Sequence, residues 1–232
     1  MKILAIETTG RTGSVALLQA CDCVAEQKLP AHTRSGQSLA ACIQQLLNGH
    51  GWRPQQVDLV AVARGPGSFT GLRVGIVTAK TFAYAVDATV VGVGSLAALA
   101  VAAGGTTPVW CVMDAQRGEL YAAKFSLTEE LPEEIKPTCI LRLGDWLRQL
   151  QSGDRIVSPL IEKLADRLPD YVETVAEEFW MPWAHAVGQL ALVKFRAGAR
   201  DDLWQFVPDY YRLSAAEEKL AAECQGEADG KS

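Results

Sequence analysis

The stretch Ala63-Arg64-Gly65-Pro66-Gly67-Ser68-Phe69-Thr70-Gly71-Leu72-Arg73-Val74-Gly75 joins a glycine-rich turn to a helix that carries little charge. Before it, Val57-Asp58-Leu59-Val60-Ala61-Val62-Ala63 is apolar and β-branched, which predicts a strand. Gly65-Pro66-Gly67 then enforces a turn that neither strand nor helix accommodates. Ser68 is a natural N-cap, so a helix is expected from about Phe69 to about Val86. Strand, tight turn and helix in that order point to an α/β protein.

Small residues recur along that helix at Gly71, Gly75, Ala79 and Ala83, one helical step of four apart. Leu72, Ile76 and Phe82 lie beside this stripe, while Arg73, Lys80 and Tyr84 share a narrow opposite strip. Each interior glycine costs roughly 1 kcal/mol relative to alanine, so something must offset the loss, and close packing of another backbone is the obvious candidate. A helix apolar around most of its circumference needs cover on more than the one side that its own sheet provides. Either a partner protein or the rest of the same domain can supply that cover.

Outward from this core the pattern is regular. Ile3 to Glu7, Ser14 to Leu18 and Cys23 to Leu29 read as antiparallel strands, the first two joined through Thr8-Thr9-Gly10-Arg11-Thr12-Gly13. A first helix from about Ser38 to Asn48 turns Leu39, Ile43, Leu46 and Leu47 to one side and ends at Gly49. With a strand at Thr89 to Val93 the order becomes β-β-β-α-β-α-β. Gly104-Gly105-Thr106-Thr107-Pro108 is the best boundary, dividing residues 1–104 from a second half at 105–224. There Val109 to Met113 and Leu120 to Phe125 form another hairpin around Asp114-Ala115-Gln116-Arg117-Gly118. Trp146 to Leu150, Leu160 to Leu168 and Trp183 to Ala197 follow as further elements. Ser214 and Glu217 make a capping box, and residues 225–232 read as a frayed polar tail.

A chain of 232 residues, 49% hydrophobic and 21% charged, can build one large or two small cores. The net charge of −5 argues against independent nucleic-acid binding, so any role on RNA is indirect. No segment stays apolar long enough to span a bilayer, and a cytoplasmic location is inferred. The six cysteines (Cys21, Cys23, Cys42, Cys111, Cys139 and Cys224) lack zinc-ligand spacing, and no two of His32, His50 and His185 form a helical metal pair.

Several decoys need weighing. Gly67-Ser68-Phe69-Thr70-Gly71 misses the nucleophile-elbow spacing, and the stretch from Gly65 to Arg73 lacks the Gly-Lys-Ser/Thr of a P-loop. Gly92-Val93-Gly94-Ser95-Leu96-Ala97, with Asp114 about 20 positions on, imitates a dinucleotide fingerprint but closes a β-β-β-α-β-α-β unit instead of opening one. Glu7-Thr8-Thr9-Gly10 with Thr12-Gly13-Ser14 is either a polar turn or a tip able to hold phosphate or magnesium-bound water.

Taken together, the hairpin, the strand order and the segment Arg64 to Gly75 resemble the TsaB family, also called YeaZ, of bacterial tRNA threonylcarbamoyladenosine biosynthesis. Supporting matches are Val91 to Ala100, Met113 to Tyr121, and Pro208-Asp209-Tyr210-Tyr211-Arg212 with Ala216-Glu217. The resemblance implies the ASKHA (actin-like ATPase) fold, two ribonuclease-H-like halves of which the second is reduced. It implies a non-catalytic subunit that pairs with a TsaD-like threonylcarbamoyltransferase, joined by a TsaE-like ATPase, and that meets tRNA only through them. The contact expected with TsaD runs through Leu39, Ile43, Leu46, Gly71, Leu72, Gly75, Ile76, Ala79 and Ala83, and the same surface is expected to form a homodimer in the partner's absence. No cofactor, catalytic residue or metal is expected for the isolated chain; ATP with magnesium is expected, if anywhere, at the interface of the assembled complex.

Gly94 to Ala98 falls where TsaD-like relatives carry paired metal-binding histidines, and none is present. Glu7 stands where the family usually has Asp, and Ser35 where its first helix begins near a histidine, with His32 three residues earlier. Both departures weigh against the rival reading, an autonomous ATP-dependent phosphotransferase or ATPase of the same fold.

Overall fold

The computed structural model describes residues 1–30, 35–127 and 131–212. His32, Cys224, the Ser214 and Glu217 capping box and the tail after residue 224 lie outside the described residues. The first half runs β1 (Lys2–Glu7), β2 (Ser14–Gln19), β3 (Asp22–Lys28), α1 (Ser35–Gly49), β4 (Leu59–Gly65), α2 (Phe69–Val86), β5 (Thr89–Gly94) and α3 (Ser95–Ala103). The second runs β6 (Val109–Asp114), β7 (Glu119–Leu127), β8 (Pro132–Arg142), α4 (Leu143–Leu147), β9 (Arg155–Val157), α5 (Ile161–Leu164), β10 (Glu173–Thr174) and α6 (Ala184–Arg196).

The two halves repeat one topology. The first sheet has the order β3-β2-β1-β4-β5 and the second, read the same way, β8-β7-β6-β9-β10. In each, a hairpin and a third antiparallel strand are followed by two parallel strands. The crossovers differ in scale: α1 and α2 have 15 and 18 residues, whereas α4 and α5 have 5 and 4. That shortening is the reduction of the second half.

Strand alternation sets the layers. Leu4, Ile6, Val15, Leu17, Val60 and Val62 face α1 and α2, while Ile3, Ala5, Ala16, Leu18, Leu59 and Ala61 face α6. The second sheet turns Cys111, Met113, Ala123 and Phe125 toward α3, and Trp110, Val112, Leu120 and Ala122 toward α4 and α5. The third helices cross over: α3 follows the first sheet yet packs mainly on β6 and β7, and α6 follows the second sheet yet packs on β1, β2, β4 and β5. The strands therefore divide at the Gly104-Gly105 boundary, but the packing does not. The segment after α6 stays on the first half, with Phe206 in its core and the Asp209 amide donating to the Arg64 carbonyl at 2.8 Å.

Trp183 to Ala197 and the β6–β7 hairpin stand where their patterns place them. The strands β8, β9 and β10 were not legible; β8 is mostly exposed and polar (Pro-Glu-Glu-Ile-Lys-Pro), without an alternating apolar face. The helix expected at Trp146 to Leu150 forms earlier, at Leu143–Leu147. No helix among the described residues is long and apolar enough to cross a membrane.

Candidate functional site

The small-residue stripe of α2 is sealed by the chain's own hairpin, which corrects the expected contact surface. A Cβ on Gly71 would overlap the Thr8 carbonyl oxygen and lie 3.0 Å from its carbon, and one on Gly75 would collide with Thr8 Oγ1. The Thr8 hydroxyl donates to the Gly71 carbonyl at 2.8 Å, and the Ser68 amide donates to the Thr9 carbonyl at 2.8 Å. Ala79 and Ala83 are fully buried in the core beneath α2, alongside Ile76, Leu39, Ile43 and Leu46, and Leu72 is buried as well. The physical reason is depth: the hairpin tip reaches over the end of β4, and only helix positions without a β-carbon, or with a methyl alone, let the two backbones meet.

A different face of the same two helices is open. Between α1 and α2 lies a groove of about 700 Å³ lined by Ala40, Ile43, Gln44, Leu47, Val77, Thr81, Phe82 and Ala85, with no charged side chain. Ile43 is the one member of the expected contact set that reaches it. Val77 is 61% exposed and Tyr84 68%, and Trp204, 78% exposed, meets Tyr84 edge to face at 5.7 Å. Val77 and Thr81 also line a smaller hollow with Lys80, Tyr84, Leu203 and Trp204, so the apolar surface continues along α2. The sequence did carry a signal for this: Val77, Thr81 and Ala85 follow helical spacing without charge, beside the strip that holds Lys80 and Tyr84.

At the hairpin tip the Thr9 donors turn inward to Glu7. The Thr9 amide donates to Glu7 Oε1 at 2.6 Å and the Thr9 hydroxyl donates to the same oxygen, so both close on the chain's own carboxylate. Glu7 is 1% exposed with Oε2 unpartnered, and burial pushes its carboxyl up to about 7 against the lowering effect of the Thr9 and Gly10 donors. Beyond it, Glu26 accepts from the Ser14 hydroxyl (2.9 Å) and His185 Nδ1 (2.7 Å), tying the start of α6 to β3. Burial raises the Glu26 carboxyl, but the His185 and Ser14 contacts outweigh it and leave the value lowered.

The dinucleotide imitation at Gly92 is closed as well. The Gly92 amide donates to Asp201 Oδ2 at 2.7 Å, and the Phe206 ring would lie 2.6 Å from a Cβ there. Arg64 holds the same returning segment through Asp209 (2.9 Å) and Asp201 (3.4 Å). Farther on, Tyr210 stacks on Phe69 at 4.8 Å, and Arg212 pairs with Glu119 of β7. The Pro208-to-Arg212 motif is thus a strap from the first half to the second.

A family model described as "TsaD: tRNA N6-adenosine threonylcarbamoyltransferase" matches residues 29–180. The tRNA threonylcarbamoyladenosine biosynthesis protein TsaB of Bacillus subtilis is 31% identical, the alignment covering 94% of this chain and 97% of that one. The chain belongs to the TsaB family. YeaZ from Pseudomonas aeruginosa superposes with a TM-score of 0.76 at 24% identity, over 90% of this chain and 99% of that one. Ethanolamine utilization protein EutJ from Carboxydothermus hydrogenoformans gives 0.51 at 10% identity, over 83% and 90%. The fold is the α/β ASKHA architecture expected, and membership of the TsaB family places the chain in tRNA threonylcarbamoyladenosine biosynthesis.

Proposed function

We propose that this TsaB-family chain is a non-catalytic subunit that binds and supports a TsaD-like threonylcarbamoyltransferase, acting on tRNA in the cytoplasm only through that partner. The observation that carries the reading is the uncharged groove between α1 and α2, extended by exposed Val77, Tyr84 and Trp204. Depletion of charge with enrichment of aromatic residues is the composition of an interface core. The match to the TsaD family model spans both helices, which supports an equivalent pair in a TsaD-like partner. Two like helix pairs then meet about a pseudo-two-fold axis and make a four-helix contact. In the partner's absence two copies of this chain use the same face, and a TsaE-like ATPase joins the assembled pair.

The closed hairpin tip supports a supporting rather than a catalytic role. The Thr8 hydroxyl serves Gly71 and the Thr9 amide and hydroxyl serve Glu7, which counts against an autonomous phosphotransferase. ATP with magnesium, if the complex uses it, belongs to the assembled interface.

The test is Val77→Asp measured by calorimetric titration against the TsaD-like subunit of the same organism. Because Val77 is 61% exposed, the melting temperature should hold while affinity falls by about tenfold or more. Unchanged affinity would remove the groove from the contact.

A further inference from the structure

The second sheet carries a basic pocket, walled by three arginines and one carboxylate. Arg117, Arg142 and Arg167, with Gly118, Glu119 and Gly144, line a hollow of about 520 Å³. It forms where the β6–β7 turn meets the start of α4, the Leu143 amide donating to the Gly118 carbonyl at 3.2 Å. Left-handed backbone at Gln116, Arg117 and Gly118 brings the Arg117 side chain round to this wall. Arg167 closes the far side from the turn after α5.

The charge arrangement is what points to a ligand. Glu119 is the cross-strand neighbour of Arg142 and the sole carboxylate among the lining residues, yet it is engaged by Arg212 of the strap. Arg117 has a partner of its own, whereas Arg142 and Arg167 have no side-chain hydrogen bond or ion pair among the described residues. The Arg142 and Arg167 guanidinium groups around one concavity, in a chain of net charge −5, raise the local potential and attract an anion. Guanidinium forks match the oxygens of phosphate in paired hydrogen bonds, which a point charge cannot do.

We propose that this pocket holds a phosphate group, presented either by a free phosphate-bearing molecule or by the backbone of an RNA. It lies on the second sheet, whereas α1 and α2 pack on the first, so it does not depend on the partner contact proposed above. The full chain is titrated at low salt with pyrophosphate, with ATP and with unmodified tRNA. At least one of them should saturate, and Arg142→Ala and Arg167→Ala should each weaken that binding by about tenfold. Arg148→Ala is the control: it removes the same charge from an exposed side chain already paired with Asp145 outside the pocket, and should leave binding unchanged. Arginine-dependent binding of pyrophosphate or ATP identifies a free ligand, and arginine-dependent binding of tRNA alone identifies the nucleic-acid backbone. Absence of saturation with all three probes, or equal weakening by Arg148→Ala, overturns the proposal.

Discussion

Replacing Gly71 by alanine separates two readings of the small-residue stripe. If the stripe received a foreign helix, the isolated chain would fold at least as well, since alanine is favoured over glycine in a helix interior by about 1 kcal/mol. In this structure the added Cβ overlaps the Thr8 carbonyl oxygen, a main-chain atom with no rotamer through which to withdraw. Two responses are open. The chain can absorb the overlap as strain, which costs about 1–3 kcal/mol in a packed interior. Alternatively the hairpin tip can back away from α2 and lose the Thr8-to-Gly71 and Ser68-to-Thr9 hydrogen bonds, each worth about 1 kcal/mol. After subtracting the helix-propensity gain, a net loss of about 1 kcal/mol, and at most about 2, remains, and for a chain of this size that lowers Tm by about 2–4 °C, and at most about 8 °C. Gly49→Ala is the matched control, because a Cβ at the end of α1 meets nothing within 4 Å. Thermal unfolding of the two variants and the parent decides the matter. A Gly71→Ala protein that melts at or above the parent temperature, while losing partner affinity, would refute the burial argument.

Two further outcomes follow from the buried carboxylate and the strap. Glu7 in the folded protein titrates near 7, above its unfolded value, so its contribution to stability is complete below about pH 4 and disappears as pH rises through 7. Glu7→Gln should flatten that slope and be the more stable protein at pH 8, by an amount on the order of 3 kcal/mol at most, read from urea midpoints at pH 5 and pH 8; a parent-like slope in the variant sinks the assignment. Arg64→Ala removes the grip on Asp201 and Asp209, and should speed proteolysis and amide exchange across residues 199–209 with a global loss of only about 1 kcal/mol. Parent-like exchange there would show that Phe206 and the Gly92-to-Asp201 hydrogen bond hold the segment without the Arg64 side chain.

Much of the fold could be read directly. The run of β-branched residues in β4, the Gly-Pro-Gly turn and the Ser68 cap placed the strand, the turn and both ends of α2, because each of these signals is local. The β-β-β-α-β-α-β order of the first half followed by the same reasoning. The second half was harder: β8 pairs along its length with β7 yet exposes most of its residues, and β9 and β10 have three and two residues, too few for a period to declare itself. The return of residues 201–209 to β4 and β5 rests on contacts more than 100 positions apart, which no local pattern encodes.

The sequence by itself determined that a backbone must approach α2 closely, since glycines four apart have no other compensation in a helix. Tertiary structure alone decided whose backbone it is. Thr8 and Thr9 stand more than 60 residues from Gly71, and only the pairing of β1 with β4 carries that hairpin tip onto the end of the helix. Once it sits there, the small face is the inner one, and the open face of α2 is the opposite edge, where Val77 and Tyr84 stay exposed with Trp204 meeting only the edge of the Tyr84 ring.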